Sequence, residues 1–261
     1  MITLYDLASN LSPQAWSPNT WKTRLNLNVA GLPYKTIYIE YPDIAELYRE
    51  LKIEGKYKLP DGTSKCTLPV IYDDATGLAV ADSFDIAMYL DKHYPSSQRT
   101  IPRGAETLHA AFADAITQTM LPLKTFTYPP TMAILNDRSR EWFAQNRLMS
   151  HFGTSDLGKI NGDLVGEEGK KAWTKVVVAL HTIEGWLRRN DDGPYVMGKH
   201  LSFADLALVA FFNWCRTVWG AQSQMWSNLI GGHNGRFARY LALFEKYQQV
   251  EGTDSYDVKV L

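Results

Sequence analysis

"TLPVIYDDATGLAVADSFDIAMYL" (residues 67–90) is the stretch whose reading decides the fold. A β-branched run follows Pro69, Asp74 to Gly77 supply turn residues, and "LAVA" (78–81) leads back, so 67–82 reads as a hairpin. Ile86, Leu90 and Tyr94 then recur at helical spacing until Pro95 closes the segment. A proline in a strand run forfeits a ladder hydrogen bond, which places Pro69 at an edge or a bend. Two arrangements suit it. An ordinary trans edge proline is what the dipeptide alone favours. A cis Leu68–Pro69 bond would instead turn the Leu68 N–H and C=O outward, where an extended peptide could pair with them. At the far end, Ser83 reads as a helix N-cap flanked by Asp82 and Asp85, and most such serines only cap. The functional alternative is that Ser83 and the first-turn N–H groups hold a carboxylate while Asp82 meets an ammonium, as the end of an α-amino acid would require.

Upstream, "ITLYDL" (2–7) alternates as a strand, and Trp21, Leu25 and Val29 mark a helix that stops at Gly31 and Pro33. "KTIYIEY" (35–41) is a second strand and "DIAELYREL" (43–51) a short helix. The order is β-α-β-α-β-β-α. Downstream, the polar, proline-bearing "PSSQRTIPRG" (95–104) reads as a linker. Helices are then expected over 170–189, 203–220 and 235–249, the second apolar on almost every side, as a helix at a domain centre would be. Ser202 and Asp205 in "GKHLSFADLAL" form an N-cap and N3 pair, with Leu201 and Leu206 as its hydrophobic staple. Both polar residues read as structural. An α/β domain over 1–94 and an all-helical domain over 105–261 are therefore expected, which suits a chain of 261 residues.

Composition narrows the function. Net charge is −1 with no block of like charges, so neither nucleic acid nor a charged membrane surface is an expected partner. The start "MITLYDLASN" has no secretory pattern, and no apolar run is long enough for a spanning helix. Cys66 and Cys215 stand far apart, which fits a reducing, cytoplasmic setting. The six histidines show no metal-ligand spacing, so no metal is expected. With 8 Trp, 14 Tyr and 10 Phe, the aromatic content can fill the core and also wall a pocket for flat apolar molecules.

An α/β domain in this order, with X-Pro before its third strand, Asp-Ser before its third helix, and "SFADLAL" in the second half, resembles a cytosolic glutathione transferase. The resemblance covers nearly the whole chain. It implies a thioredoxin-like N-terminal domain, an all-α C-terminal domain, glutathione as co-substrate and a homodimer. "SPNTW" (17–21), after the first strand, is similar to the active-site motif of the serine-type, etherase-related transferases known from fungi and bacteria. By that resemblance Ser17 donates its hydroxyl to the glutathione sulfur, with Asn19 ranked second. Leu68, beside Pro69, pairs its backbone with the cysteinyl residue, and Asp82 and Ser83 hold the γ-glutamyl end. The family commonly has Glu or Gln where Asp82 stands. Lys58 and Lys65, in the long segment 52–66, are candidates for the glycyl carboxylate, with plain surface solvation as the alternative for each. Tyr5 is assigned to the core or sheet face, and Cys66 to an incidental thiol.

Taken without the family, Ser17-Pro18 is a good helix start and nothing more. With the resemblance, the expected role is chemical. Trp16, Phe126, Tyr128 and Trp214, with Trp219 as a further candidate, are the expected walls of an acceptor pocket where loop 9–16 faces the first helix of the second domain, around residues 119–130. Flat aromatic electrophiles are the expected substrates, by conjugation or by aryl-ether cleavage. A ligandin-like carrier with little turnover is the alternative. An interaction protein on the same fold is a third reading, which failure to bind glutathione would support.

Overall fold

The computed structural model describes residues 1–58, 62–190 and 192–250, and the backbone of 253–255. Residues 59–61 of the long segment and the rest of the tail lie outside the described residues. The first half follows the expected order: β1 (Ile2–Leu7), α1 (Pro18–Ala30), β2 (Tyr34–Ile39), α2 (Ile44–Glu50), β3 (Val70–Asp73), β4 (Leu78–Ala81) and α3 (Ser83–His93). β1 runs parallel to β2 and antiparallel to β3, which pairs with β4 through the turn read from Asp74 to Gly77. Gly31, with φ of 65°, ends α1 in the left-handed conformation that a side chain disfavours. A fifth strand, β5 (Thr253–Ser255), lies parallel to β2 at the sheet edge, where no strand signal was read.

The second half is helical: α4 (Glu106–Thr119), α5 (Lys124–Ile134), α6 (Asp137–Phe143), α7 (Met149–Phe152), α8 (Leu157–Val165), α9 (Glu167–Arg188), α10 (Phe203–Trp219) and α11 (Gln224–Ala242). None of the helices among the described residues is long and apolar enough to cross a membrane. The thioredoxin-like plus all-helical architecture expected from the sequence is the one observed. Two segments differ from the reading. α11 begins well before residue 235 and ends at Ala242. Residues 232–235 interrupt it with left-handed backbone at His233, Asn234 and Gly235, so periodicity was readable only beyond the break. The helix expected around 119–130 is α5, and it is the second of this half, because α4 precedes it. α5 continues through the adjacent Pro129 and Pro130, which propensity alone would make a break.

Two buried polar clusters fix the frame. Asp6 on β1 and Arg24 on α1 form an ion pair at 2.8 Å with both side chains fully buried, and Arg24 also donates to Tyr34 and Thr36 of β2. This anchors α1 on the sheet and so sets where its N-terminus points. Asp205 accepts from the Ser202 N–H and hydroxyl, the Val196 N–H and the Tyr240 hydroxyl, as the capping pattern predicted for α10. α1 packs against α10, and the rings of Phe84 and Phe203 meet in a T-shaped pair with centroids 5.4 Å apart, which locks the two halves together.

Asp82, rather than Ser83, is the N-cap of α3. At φ of 75° its carboxylate swings over the helix end and accepts from the Phe84 and Asp85 N–H groups, while Ser83 is the first helical residue. Asp82→Ala is expected to cost about 1–2 kcal/mol, from the lost cap and from placing Ala at positive φ. Asp82→Asn, which keeps an acceptor and tolerates that backbone, recovers most of it. Thermal denaturation of the two variants reads the difference.

Candidate active site

Ser17 stands at the junction of β1 and α1 with extended backbone, Pro18 follows at the first helical position, and the Ser17 carbonyl receives the Trp21 N–H. Its side chain makes no capping bond. A serine that merely started the helix would spend its hydroxyl on the N–H groups behind it. Here the residue is 3% exposed and lines a cavity of about 240 Å³ with Trp16, Asn19, Lys65, Tyr128 and Trp214 among its walls. The hydroxyl and the free end of α1 therefore share one small, enclosed space, where a helix N-terminus favours negative charge.

A second cavity of about 380 Å³ adjoins it, sharing Asn19, Tyr41, Lys65, Thr67 and Arg147, and Leu68 is on its wall. The Leu68–Pro69 bond is cis, so the arrangement that the dipeptide alone disfavoured is the one present. The Pro69 carbonyl accepts from the Asp82 N–H at 3.3 Å, which ties this bend to the start of α3. There the Ser83 hydroxyl has no hydrogen bond among the described residues. Lys56 meets Asp82 at 3.5 Å and Asp85 at 2.9 Å, so a lysine ammonium already faces the carboxylate expected to receive an ammonium.

Lys22 donates to Asn19 Oδ1 at 3.3 Å. This turns the amide so that its NH₂ is left for the cavity. Burial lowers the Lys22 pKa to about 8, with Asp82 and Asp114 working the other way. Burial, with Arg147 and Lys65 nearby, also lowers Lys124, which lines the Ser17 cavity from the start of α5.

Pro69, Asp82 and Ser83 lie beside these cavities without lining either, and Phe126 and Lys58 are turned away from them. Phe126 and Tyr128 sit two places apart on α5, roughly 200° around the helix, so they cannot face one cavity. Tyr128 takes the Ser17 side, 5.9 Å from Trp214 between ring centroids. Phe126 lines a separate apolar cavity of about 790 Å³ with Trp173 and Trp219. A tertiary contact holds this side of the helix: Pro130 has no N–H for the Phe126 carbonyl, and the Trp219 indole supplies one at 2.8 Å. Lys58 is drawn away by Glu54 at 2.9 Å and Ser64 at 2.7 Å. Tyr5 is buried in the sheet core, and burial pushes its hydroxyl up to about 12. Cys66 lies on the wall of the second cavity, and burial raises its thiol.

Tyr41, Lys124, Trp142, Phe143 and Arg147 were not foreseen. Tyr41 follows β2 and stacks on Trp142 at 4.5 Å and 4°, held by its N–H to Ser139. The same corner is clamped by Asn136 to Glu40 at 2.6 Å and by Arg138 to Asp43 at 2.7 Å. Arg147 lies in a π-turn (Ala144–Leu148), a distortion common at functional sites. No sequence pattern announced these residues except the bare cluster "REWF" (140–143).

The N-terminal domain model of the glutathione S-transferase family matches residues 16–93, and its C-terminal domain model matches residues 107–247. A glutathione S-transferase of Ceriporiopsis subvermispora, solved in complex with glutathione, is 40% identical, with a TM-score of 0.88 over 96% of this chain and 98% of its own. Glutathione transferase GSTFuA3 of Phanerochaete chrysosporium is 33% identical, with a TM-score of 0.88 and the same coverage. The glutathione S-transferase-like protein ustS of Aspergillus flavus is 30% identical over 89% of this chain and 86% of its own. With both halves matched, in order and nearly end to end, the chain belongs to the glutathione S-transferase family.

Proposed function

We propose that this transferase is of the serine type, similar to the fungal etherase-related class, and acts as a cytosolic homodimer on hydrophobic aromatic electrophiles. In this reading residues 1–94 bind glutathione, 95–104 link, and 105–261 complete the acceptor pocket. Ser17 donates a hydrogen bond to the glutathione sulfur and holds it as thiolate. The thiolate attacks an electrophilic carbon, a C–S bond forms, and the leaving group departs with its electron pair. A halide leaves as such; an aryloxide, in ether cleavage, takes a proton from water. Leu68 pairs with the cysteinyl backbone, Ser83 and Asp82 meet the γ-glutamyl end, and Lys65 meets the glycyl carboxylate.

The observation that carries this reading is the Ser17 hydroxyl, unused by the helix it precedes and turned over to a cavity. Its energy is adequate. Lowering a thiol from about 8.5 by roughly two units needs about 2.7 kcal/mol. A hydroxyl donating to a charged acceptor supplies about 1.5–3 kcal/mol, and a helix N-terminus about 0.3–1 kcal/mol. Together they reach the requirement; the helix alone does not.

The large apolar cavity beside Trp173 and Trp219 favours the carrier as a second reading. Two assays on one sample separate the two. Conjugation of glutathione to chlorodinitrobenzene well above the uncatalysed rate supports the enzyme, whereas tight displacement of a bound dye with negligible turnover supports the carrier. Lys65→Met is expected to raise the KM for glutathione several-fold while kcat changes little. An unchanged KM in steady-state kinetics moves the glycyl carboxylate to another cation.

A further inference from the structure

Lys65, Lys124 and Arg147 all line the Ser17 cavity, and Lys65 and Arg147 line the adjoining one as well. No Asp or Glu borders either cavity among the described residues. None of the three cations has a carboxylate within 4.0 Å among those residues, whereas Lys56, Lys58, Arg24 and Arg138 are each paired. Two of them lie against rings instead: Lys124 Nζ is 5.9 Å from the Tyr128 centroid and Arg147 Cζ 5.3 Å from that of Trp142. Positive charges gathered in a cleft without a counter-ion repel one another, and an anion entering the cleft relieves that repulsion. Burial lowers the pKa of Lys124 most, and the charges of Arg147 and Lys65 add to it in the same direction.

Glutathione accounts for part of this charge. With its γ-glutamyl end at α3, it brings a glycyl carboxylate and a thiolate to the cleft. That is two negative charges against three positive, with Lys22 as a fourth behind Asn19. The division follows the chain, since Lys65 belongs to the glutathione-binding half, while Lys124 and Arg147 come from the helical half that forms the acceptor walls.

We propose that Lys124 and Arg147 select a flat aromatic acceptor bearing a carboxylate. Its ring lies among Trp16, Tyr128, Phe143 and Trp214, and its anionic group meets the lysine ammonium and the planar guanidinium, which suits bidentate pairing. This rests on the assignment above of the cleft to glutathione and its acceptor, and it names the substrate class of that site.

Calorimetry tests it without turnover. S-methylglutathione fills the tripeptide site, and meta-nitrobenzoate and meta-nitrobenzamide, alike in shape but not in charge, are then titrated. The benzoate is expected to bind about tenfold more tightly, a difference of roughly 1.4 kcal/mol. Raising the salt is expected to narrow the gap. In the Lys124→Met, Arg147→Gln double variant the ratio of affinities is expected to fall to near one. Equal affinities in the unsubstituted protein, binding of neither probe, or a preference that survives in the double variant overturns the proposal. Should the double variant not fold, the unsubstituted comparison decides alone. If S-methylglutathione binds and the benzoate preference is missing, only the acceptor class is wrong. If S-methylglutathione itself does not bind, the site assignment fails and this proposal with it.

Discussion

Ser17→Ala is expected to lower kcat roughly 10- to 150-fold, the rate equivalent of losing a hydrogen bond of about 1.5–3 kcal/mol to a charged acceptor. Glutathione binding should survive, because in the proposed arrangement the tripeptide is held mainly at Leu68, Ser83 and the glycyl cation, away from the substituted oxygen. The helix should survive too, since this side chain makes no capping bond that the substitution could remove. Stopped-flow conjugation at saturating glutathione measures the loss, and calorimetry measures the retained affinity. Asn19→Ala serves as the comparison. Its amide, with Oδ1 engaged by Lys22, has an N–H donor left for sulfur, so a smaller loss is expected there. A larger loss at Asn19 than at Ser17 would exchange their roles.

Arg24→Met is expected to cost about 3–5 kcal/mol of stability, because it leaves the Asp6 carboxylate buried without its cation. The Leu7 N–H at 2.6 Å still donates to Asp6, but an amide cannot balance a charge in a fully buried setting. Tyr34 and Thr36 lose a donor as well. For a chain of this size the thermal midpoint is expected to fall by about 10 °C. The double substitution Asp6→Leu, Arg24→Met removes the charge along with its partner, and so should recover much of the loss. Differential scanning calorimetry of the two variants checks the order. Because α1 carries Ser17 at its N-terminus, the single variant should also lose activity before it unfolds.

The first half of the fold was legible because its signals are local. The strand alternation around Ile2–Leu7, the stripe of Trp21, Leu25 and Val29, and the turn at Asp74–Gly77 each need only a few neighbouring residues to be read. The α10 capping pair was legible for the same reason. Ser17 was singled out by type and place, but the spacing alone could not separate a cap from a catalytic hydroxyl. The missing capping bond removes the cap as its explanation and leaves the hydroxyl free for the proposed role. What stayed hidden is tertiary. Tyr41 and Trp142 meet across about a hundred residues, and Arg147 reaches the cleft from a π-turn that no pattern announces. The Phe126 side chain was misplaced because the Trp219 indole answers a carbonyl vacated by a proline, a contact spanning 93 positions. Asp82 was read as a flanking residue because its positive φ, which brings the carboxylate over α3, is not visible in sequence.

The ionisation of the bound glutathione thiol tests the central claim most directly. Thiolate absorbance is followed as pH is raised, with glutathione saturating the unsubstituted protein and then Ser17→Ala. The bound thiol is expected to ionise about two units below the free tripeptide in the first, and to move most of the way back in the second. A bound thiol that titrates as it does in free solution, or one whose lowered value is indifferent to the loss of the serine oxygen, would contradict the account.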